Sequence, residues 1–187
     1  MAFTALFDAC VLYPAPLRDP LLRLACTTLF RARWSYRIHE EWMRGVLRSR
    51  PELADKLPRT RDMMNKAVPD RLVVGWEGME GSFDLPDPGD RHVLAAAVVG
   101  RADVIVTFNL KHFPPAALAP YGVEAQHPDM FIRHVLNLDA EIALPIVRNL
   151  RVGLRAPTQT TEQYLGTLLR QGLPETVAFL RPWAAMI

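Results

Sequence analysis

Asp87-Pro88-Gly89-Asp90-Arg91-His92-Val93-Leu94-Ala95-Ala96-Ala97, followed shortly by Val104-Ile105-Val106-Thr107-Phe108-Asn109, is the stretch that decides how this chain folds. An Asp followed by Pro is a helix start. The carboxylate accepts from the first free N–H groups, and Pro fits the first helical position because an N–H there would have no partner. Three successive alanines then let the helix lie close against a sheet. The run 104–107 is apolar or β-branched without alternation, the pattern of a parallel strand buried on both faces. A second short run, residues 3–7, ends in Asp8. If the two strands are parallel neighbours, their C-terminal ends share one edge, where open α/β sheets place their ligands. Asp8, Asp87 and Asp90 are thereby expected on one acidic edge.

The remaining chain is read as building that edge. With 187 residues, half of them apolar, the sequence supports one domain with a helical appendage. No apolar run is long enough to span a bilayer, and the N-terminus reads as a strand rather than a leader, so a cytoplasmic location and no membrane partner are expected. Cys10 and Cys26 have no metal spacing and read as buried free thiols. A net charge of +2 neither supports nor excludes a nucleic-acid partner.

In chain order, Tyr13-Pro14-Ala15-Pro16 reads as a stiff loop, and Asp19-Pro20 as the start of the next helix. Trp34-Ser35-Tyr36 is β-prone and reads as a second strand. Ile38, Trp42 and Val46 recur every four residues, which predicts a helix over 38–47 with Glu40 and Glu41 flanking its apolar stripe. Residues 51–67 read as a helix or a pair broken at Pro58, 71–76 as a strand and 77–86 as a loop. Beyond Asn109, residues 113–118 read as irregular and 123–125 as a last strand. Alternating strands and helices predict a parallel α/β sheet. From Pro128 the chain turns helical, over about 130–136, 140–154 and 161–169, with a short fourth stretch after Pro174. Pro145 is expected to kink the second or to mark its true start. The domain reading is 1–127 followed by a packed helical extension, 128–187.

Carboxylates gathered at a strand edge repel one another and need protons or a divalent cation to coexist. Asp8, Glu41, Asp87 and Asp90 come from three parts of the chain, and a fold that converged them would make an all-oxygen site suited to Mg²⁺ or Mn²⁺. The bland reading has Asp87 as a cap and Asp90 as a first-turn acid favoured by the helix dipole. Glu40 has Arg44 four residues on and reads as a solvated ion pair. Glu41 has Gly45 there, which prefers Glu41 as the ligand. Arg44, Arg48 and Arg50 read as a solvated face, with phosphate contact as the rival. His39, His92, His127 and His134 lack ligand spacing, whereas His112 lies close enough to Asn109 to matter.

These residues carry a resemblance. Asp8 after a short apolar strand, Glu41 in Glu-Trp-x-Arg-x-x-Leu, Asp-Pro-x-Asp-Arg-His-Val-Leu-Ala-Ala-Ala, and Val-Ile-Val-Thr-x-Asn with Phe113-Pro114 soon after resemble a PIN domain over about residues 3–135. The similarity is greatest to VapC-type ribonuclease toxins of toxin–antitoxin pairs. The resemblance implies a three-layer α/β fold with a central, mostly parallel sheet and a metal-dependent endoribonuclease. Asp8, Glu41 and Asp90 would be catalytic and would hold Mg²⁺ or Mn²⁺, with Asp87 as an accessory ligand. Thr107 and Asn109 would orient a ligand or water, with His112 supporting. Asn109 and His112 stand where the family often has a further Asp, which favours a single metal. The implied partners are RNA, an antitoxin meeting an exposed Trp34, Trp42 and Met43 surface, and a second copy of the chain. The alternative is a non-catalytic PIN-like module that binds RNA or protein. A haloacid-dehalogenase-type site would need Asp where Cys10 stands, and a receiver domain would need an acidic pair and a Lys that the chain lacks.

Overall fold

The computed structural model describes residues 2–68 and 70–187. Four strands, β1 (Thr4–Phe7), β2 (Arg31–Arg33), β3 (Val104–Val106) and β4 (Glu124–Gln126), form one sheet in the order β2-β1-β3-β4. All three pairings are parallel, with Leu6 opposite Arg33 on one side and Ile105 on the other. The chain runs from β1 out to β2, crosses back to β3, and continues out to β4. Its direction therefore reverses between β1 and β3, which opens a crevice at their C-terminal ends.

Among the described residues there are ten α-helices: α1 (Ala9–Leu12), α2 (Ala15–Ala25), α3 (Tyr36–Ser49), α4 (Leu57–Ala67), α5 (Arg91–Val99), α6 (Pro115–Leu118), α7 (Pro128–Leu138), α8 (Ala140–Gly153), α9 (Thr161–Arg170) and α10 (Pro174–Leu180). Helix α5 packs on β1 and β3 through Val93, Leu94 and its alanines, all buried. Its end comes so close to neighbouring chain that a Cβ on Gly100 would lie 2.8 Å from both the Ala96 carbonyl and Val73. The rings of Phe3, Phe7, Phe30 and Phe131 interlock at centroid distances of 5.1–6.1 Å, tying α7 to β1. Buried Asp129 on α7 accepts from the backbone N–H groups of Glu175 (2.8 Å) and Thr176 (2.7 Å), so one helix caps the start of another, α10. Among the described residues no helix is long and apolar enough to cross a membrane.

Several expectations are corrected. Residues 34–36 are not a strand: Ser35 Oγ accepts from Ile38 N–H at 3.2 Å and caps α3, whose first residue is Tyr36. A good N-cap outweighs the β preference of two aromatic neighbours. Residues 71–76 form only a single bridge, Leu72 to Trp34, because the chain turns at Gly75 (φ +77°) and leaves Val74 exposed. Helix α2 starts at Ala15 rather than Asp19, with Pro16 in its first turn and Pro20 inside. Pro145 is likewise inside α8, which begins at Ala140. Residues 77–82 form a 3-10 turn, and residues 115–118 are helical as α6.

Cys26 is exposed and Cys10 half-buried, so neither is a core thiol, although both are free. Trp34 and Trp42 are fully buried, not an exposed surface, and Met43 is half-buried. The reason is a closed polar network. Trp34 Nε1 donates to Asn65 Oδ1 at 2.9 Å, and Trp42 Nε1 donates to His39 Nδ1 at 2.9 Å. His39 Nε2 lies 3.0 Å from Asn65 Oδ1, which identifies Nε2 as the protonated nitrogen.

Candidate active site

Asp8 leaves the end of β1 and Thr107 the end of β3, so the two face each other across the crevice. Both are buried. Thr107 Oγ1 donates to Asp8 Oδ2 at 2.7 Å, and it also accepts from Asn109 N–H at 3.0 Å. Cys10 Sγ, which sequence reasoning missed, donates to the same Asp8 oxygen at 3.1 Å. Burial, and then the Asp8 charge, push that thiol up to about 12, so it serves as a donor and not as a thiolate. Both donors converge on Oδ2. Asp8 Oδ1 has no partner among the described residues.

The second acidic group comes from the start of α5. Asp87 Oδ1 accepts from Gly89 N–H at 2.8 Å and caps a 3-10 turn, Pro88–Asp90, that leads into α5. Asp90 occupies the N-cap position of α5, yet its side chain makes no capping bond. Its Oδ2 instead meets His112 Nδ1 at 2.7 Å, and Asp87 Oδ2 lies 3.8 Å from the same nitrogen. Asp87 is thus a cap, whereas Asp90 is spent on the site. Ligand atoms of Asp87, Asp90 and His112 all lie within 4.8 Å of one another. Burial raises the Asp90 carboxyl above its ordinary value; the His112 hydrogen bond opposes the rise, and the charges of Asp8 and Asp87 add to it. Asp8 is therefore electrostatically part of this group.

Glu41 is held apart from that cluster. It is half-buried on α3, with Oε1 3.0 Å from His92 Nε2 on α5 and 3.6 Å from Arg37 Nε. The His92 contact is close but lacks hydrogen-bond alignment, and neither ring nitrogen has a partner of good geometry. Arg37 also holds Glu80 through contacts of 2.8 and 3.0 Å. Glu40 is exposed and makes no ion pair with Arg44 among the described residues. Asn109 lies half-buried after β3, and among the described residues only its backbone is hydrogen-bonded. Cys10, His92 and Arg37 had visible signals, since they stand two residues from Asp8, two from Asp90 and one helical turn before Glu41.

A profile described as "PIN domain" matches residues 4–111, and one described as "VapC50 C-terminal domain" matches residues 128–182. Among curated proteins, the one named "Putative ribonuclease VapC50" from Mycobacterium tuberculosis (strain ATCC 25618 / H37Rv) is 45% identical over 92 residues. That stretch is 49% of this chain and 54% of the relative, so the chain spans about half the length of the protein it matches. No solved structure gives a significant match. The first profile covers more than half of the chain and ends just beyond Asn109, taking in the strands and the helix start that build the acidic edge: the chain belongs to the PIN domain family.

Proposed function

We propose that the chain is a divalent-metal-dependent endoribonuclease acting in the cytoplasm as the toxin half of a type II toxin–antitoxin pair. Residues 1–127 form the nuclease unit in this reading, and residues 128–187 form a helical extension packed on it. The observation that carries it is the gathering of Asp87, Asp90 and His112, with the charge of Asp8 acting on Asp90, at the switch between β1 and β3, where acids repel one another and, among the described residues, no Lys or Arg forms an ion pair with them. That cost is retained at functional sites more often than in structural cores.

The donor set fits Mg²⁺ or Mn²⁺: hard carboxylate oxygens, with one imidazole that favours Mn²⁺. Asp8 and Asp90 would hold such an ion, with Asp87 as an accessory ligand and His112 beside it; Glu41, expected as a third ligand, is held apart by Arg37 and His92 and would act on the water instead. A divalent cation there supplies polarisation of the phosphate and a more acidic water. The chain's own groups do the positioning. Thr107 and Cys10 fix Asp8 through Oδ2 and leave Oδ1 turned to other use. Hydrolysis joins the water oxygen to phosphorus and releases one ester oxygen with a proton. Glu41 Oε2, free of partners among the described residues, accepts the proton that the water gives up.

The test incubates the purified full chain with single-stranded RNA and either Mn²⁺ or a chelator. Cleavage is expected only with Mn²⁺, together with a rise in melting temperature that the Asp8→Asn, Asp90→Asn double variant loses. RNA left intact in both arms would instead favour a non-catalytic binding module.

A further inference from the structure

We propose that Tyr13, Arg44 and Arg48 form a subsite for single-stranded RNA beside the acidic edge, the ring stacking on a base and the two guanidinium groups meeting backbone phosphates. The inference rests on the nuclease reading and names how that site would hold its substrate.

The argument starts from Gly45. It stands one helical turn beyond Glu41 on α3, and a Cβ there would lie 3.0 and 3.4 Å from ring atoms of Tyr13. The missing side chain lets the tyrosine ring lie directly on the helix. Tyr13 Oη then bonds Ser49 Oγ at 3.0 Å, which anchors the far end of the ring one turn further on. The ring thus lies along Gly45 and Ser49, yet Tyr13 remains 40% exposed. Tyr13 also closes α1, the short helix that begins directly after Asp8, and α1 packs on α3. An aromatic face fixed at both ends is therefore held between the chain that leaves Asp8 and the helix that carries Glu41. Locked, half-exposed rings of this kind are what single-stranded nucleic acids stack on, because every base has a π-face.

Charge on the same face points to the same occupant. At ~100° per residue, Arg48 lies about 20° and Arg44 about 60° from Glu41 around the helix, on the side of Glu41 away from Gly45, so that Glu41 stands between the ring and the two guanidinium groups. Both are exposed, and neither makes an ion pair among the described residues. The neighbouring arginines are already committed, Arg37 to Glu80 and Glu41, and Arg50 to Glu52 at 3.2 Å. Two uncommitted guanidinium groups beside a fixed ring pair a stacking surface with a phosphate surface. Trp34 and Trp42, the large aromatic anchors a protein partner would use, are buried and not offered to one.

The test measures binding of a fluorescein-labelled, mixed-sequence 12-mer of single-stranded RNA to the full chain in chelator, using Asp90→Asn as the uncut background. Tyr13→Leu keeps an apolar cover on Gly45 but removes the π-face, and it should weaken binding about tenfold without changing the salt dependence. Tyr13→Phe should bind within about twofold of the parent. Arg44→Ala and Arg48→Ala should each lower the slope of log K against log salt by about 0.7. Melting curves establish that each variant is folded. Unchanged affinity in Tyr13→Leu, or no binding of the oligonucleotide to any form, overturns the subsite. So does a Tyr13→Leu variant that loses only the capture of a co-expressed protein. The nuclease reading is judged apart from this, by Mn²⁺-dependent cleavage in the unaltered chain.

Discussion

Two polar clusters lie within this small fold, and they are built on opposite principles. In the cluster of Trp34, His39, Trp42 and Asn65 each buried donor has an acceptor at 2.9–3.0 Å, and no group carries a charge. At the acidic edge Asp8, Asp87 and Asp90 present like charges, with His112, Thr107 and Cys10 as partial answers. The first cluster is satisfied and closed, and it holds α3 to α4. The second is left in electrostatic debt at a place where the sheet opens. A satisfied network rigidifies a core, whereas a set of opposed charges is kept where something must bind.

The largest effect that would sharpen this contrast is on activity. Asp8→Ala or Asp90→Ala should lower RNA cleavage by about a hundredfold or more, since removing even an outer-shell partner of a metal ligand commonly costs 10–100-fold. Asp90→Ala should fold as well as the parent, because it removes one of the opposed charges; Asp8→Ala also leaves Thr107 and Cys10 without their acceptor, so its folded fraction is fixed by a melting curve before rates are compared. Expression of the parent in a bacterial host should arrest growth, and that of the variants should not. Wild-type cleavage rates in both variants would break the contrast at its functional end.

Next in size is the structural cluster. Asn65→Leu leaves the Trp34 and His39 N–H groups buried without an acceptor, a loss of about 3 kcal/mol at roughly 1–3 kcal/mol per orphaned group. Urea unfolding measures it. A variant as stable as the parent would mean that the network is incidental to the core.

The two clusters also differ in how legible they were. The acidic edge could be read because its elements announce themselves locally: Asp87-Pro88 starts a helix, the alanines pack it, and the Val104 run can hardly be anything but a buried strand. The β1 and β3 strands and the four C-terminal helices were readable on the same terms. The closed network was invisible, because Asn65 and Trp34 stand far apart in sequence and no spacing links them. The tryptophans were legible as core, Trp42 from its place in the apolar stripe of α3, but without the network Trp34 and Trp42 also read as a docking surface beside Glu41. The false strand at residues 71–76 failed similarly: Leu72, Val73 and Val74 have the composition of a strand, but Gly75 takes a left-handed turn that ends the pairing after one bridge. Pro20 misled in the other direction: it lies inside α2, which starts five residues earlier, because packing on one face outweighs a single lost backbone bond. Pro145 lies inside α8, as the 140–154 reading had it, and does not mark its start. At the site itself, Thr107 was readable from its strand end, but its partnership with Asp8 rests on the register that sets Phe7 beside Val106.

Acid should separate the clusters by sign, with the smallest effect falling on the acidic edge. Burial lowers His39 from 6.5 to about 4, so folding favours its neutral form. Its contribution is fully present above pH 6.5 and is lost as pH falls toward 4, reaching roughly 3 kcal/mol at ~1.4 kcal/mol per pH unit. Asp90 runs the other way. Its folded value is raised above 3.8, so the strain is absent below that pH and grows as pH rises through the raised value. Acidification therefore relieves the edge while it loosens the core, and the core term dominates because its shift is the larger. Urea unfolding of the metal-free chain at pH 7, 6, 5 and 4.5 should show net destabilisation. His39→Gln, which can donate to Asn65 and accept from Trp42 without titrating, should flatten that profile. Asp90→Asn should be more stable than the parent at pH 7, and its advantage should shrink on acidification as the parent's own carboxyl takes up a proton. An Asp90→Asn advantage that stays constant from pH 7 to 4.5 would show that the carboxylate is not in electrostatic debt, and the distinction between the clusters would then rest on geometry alone.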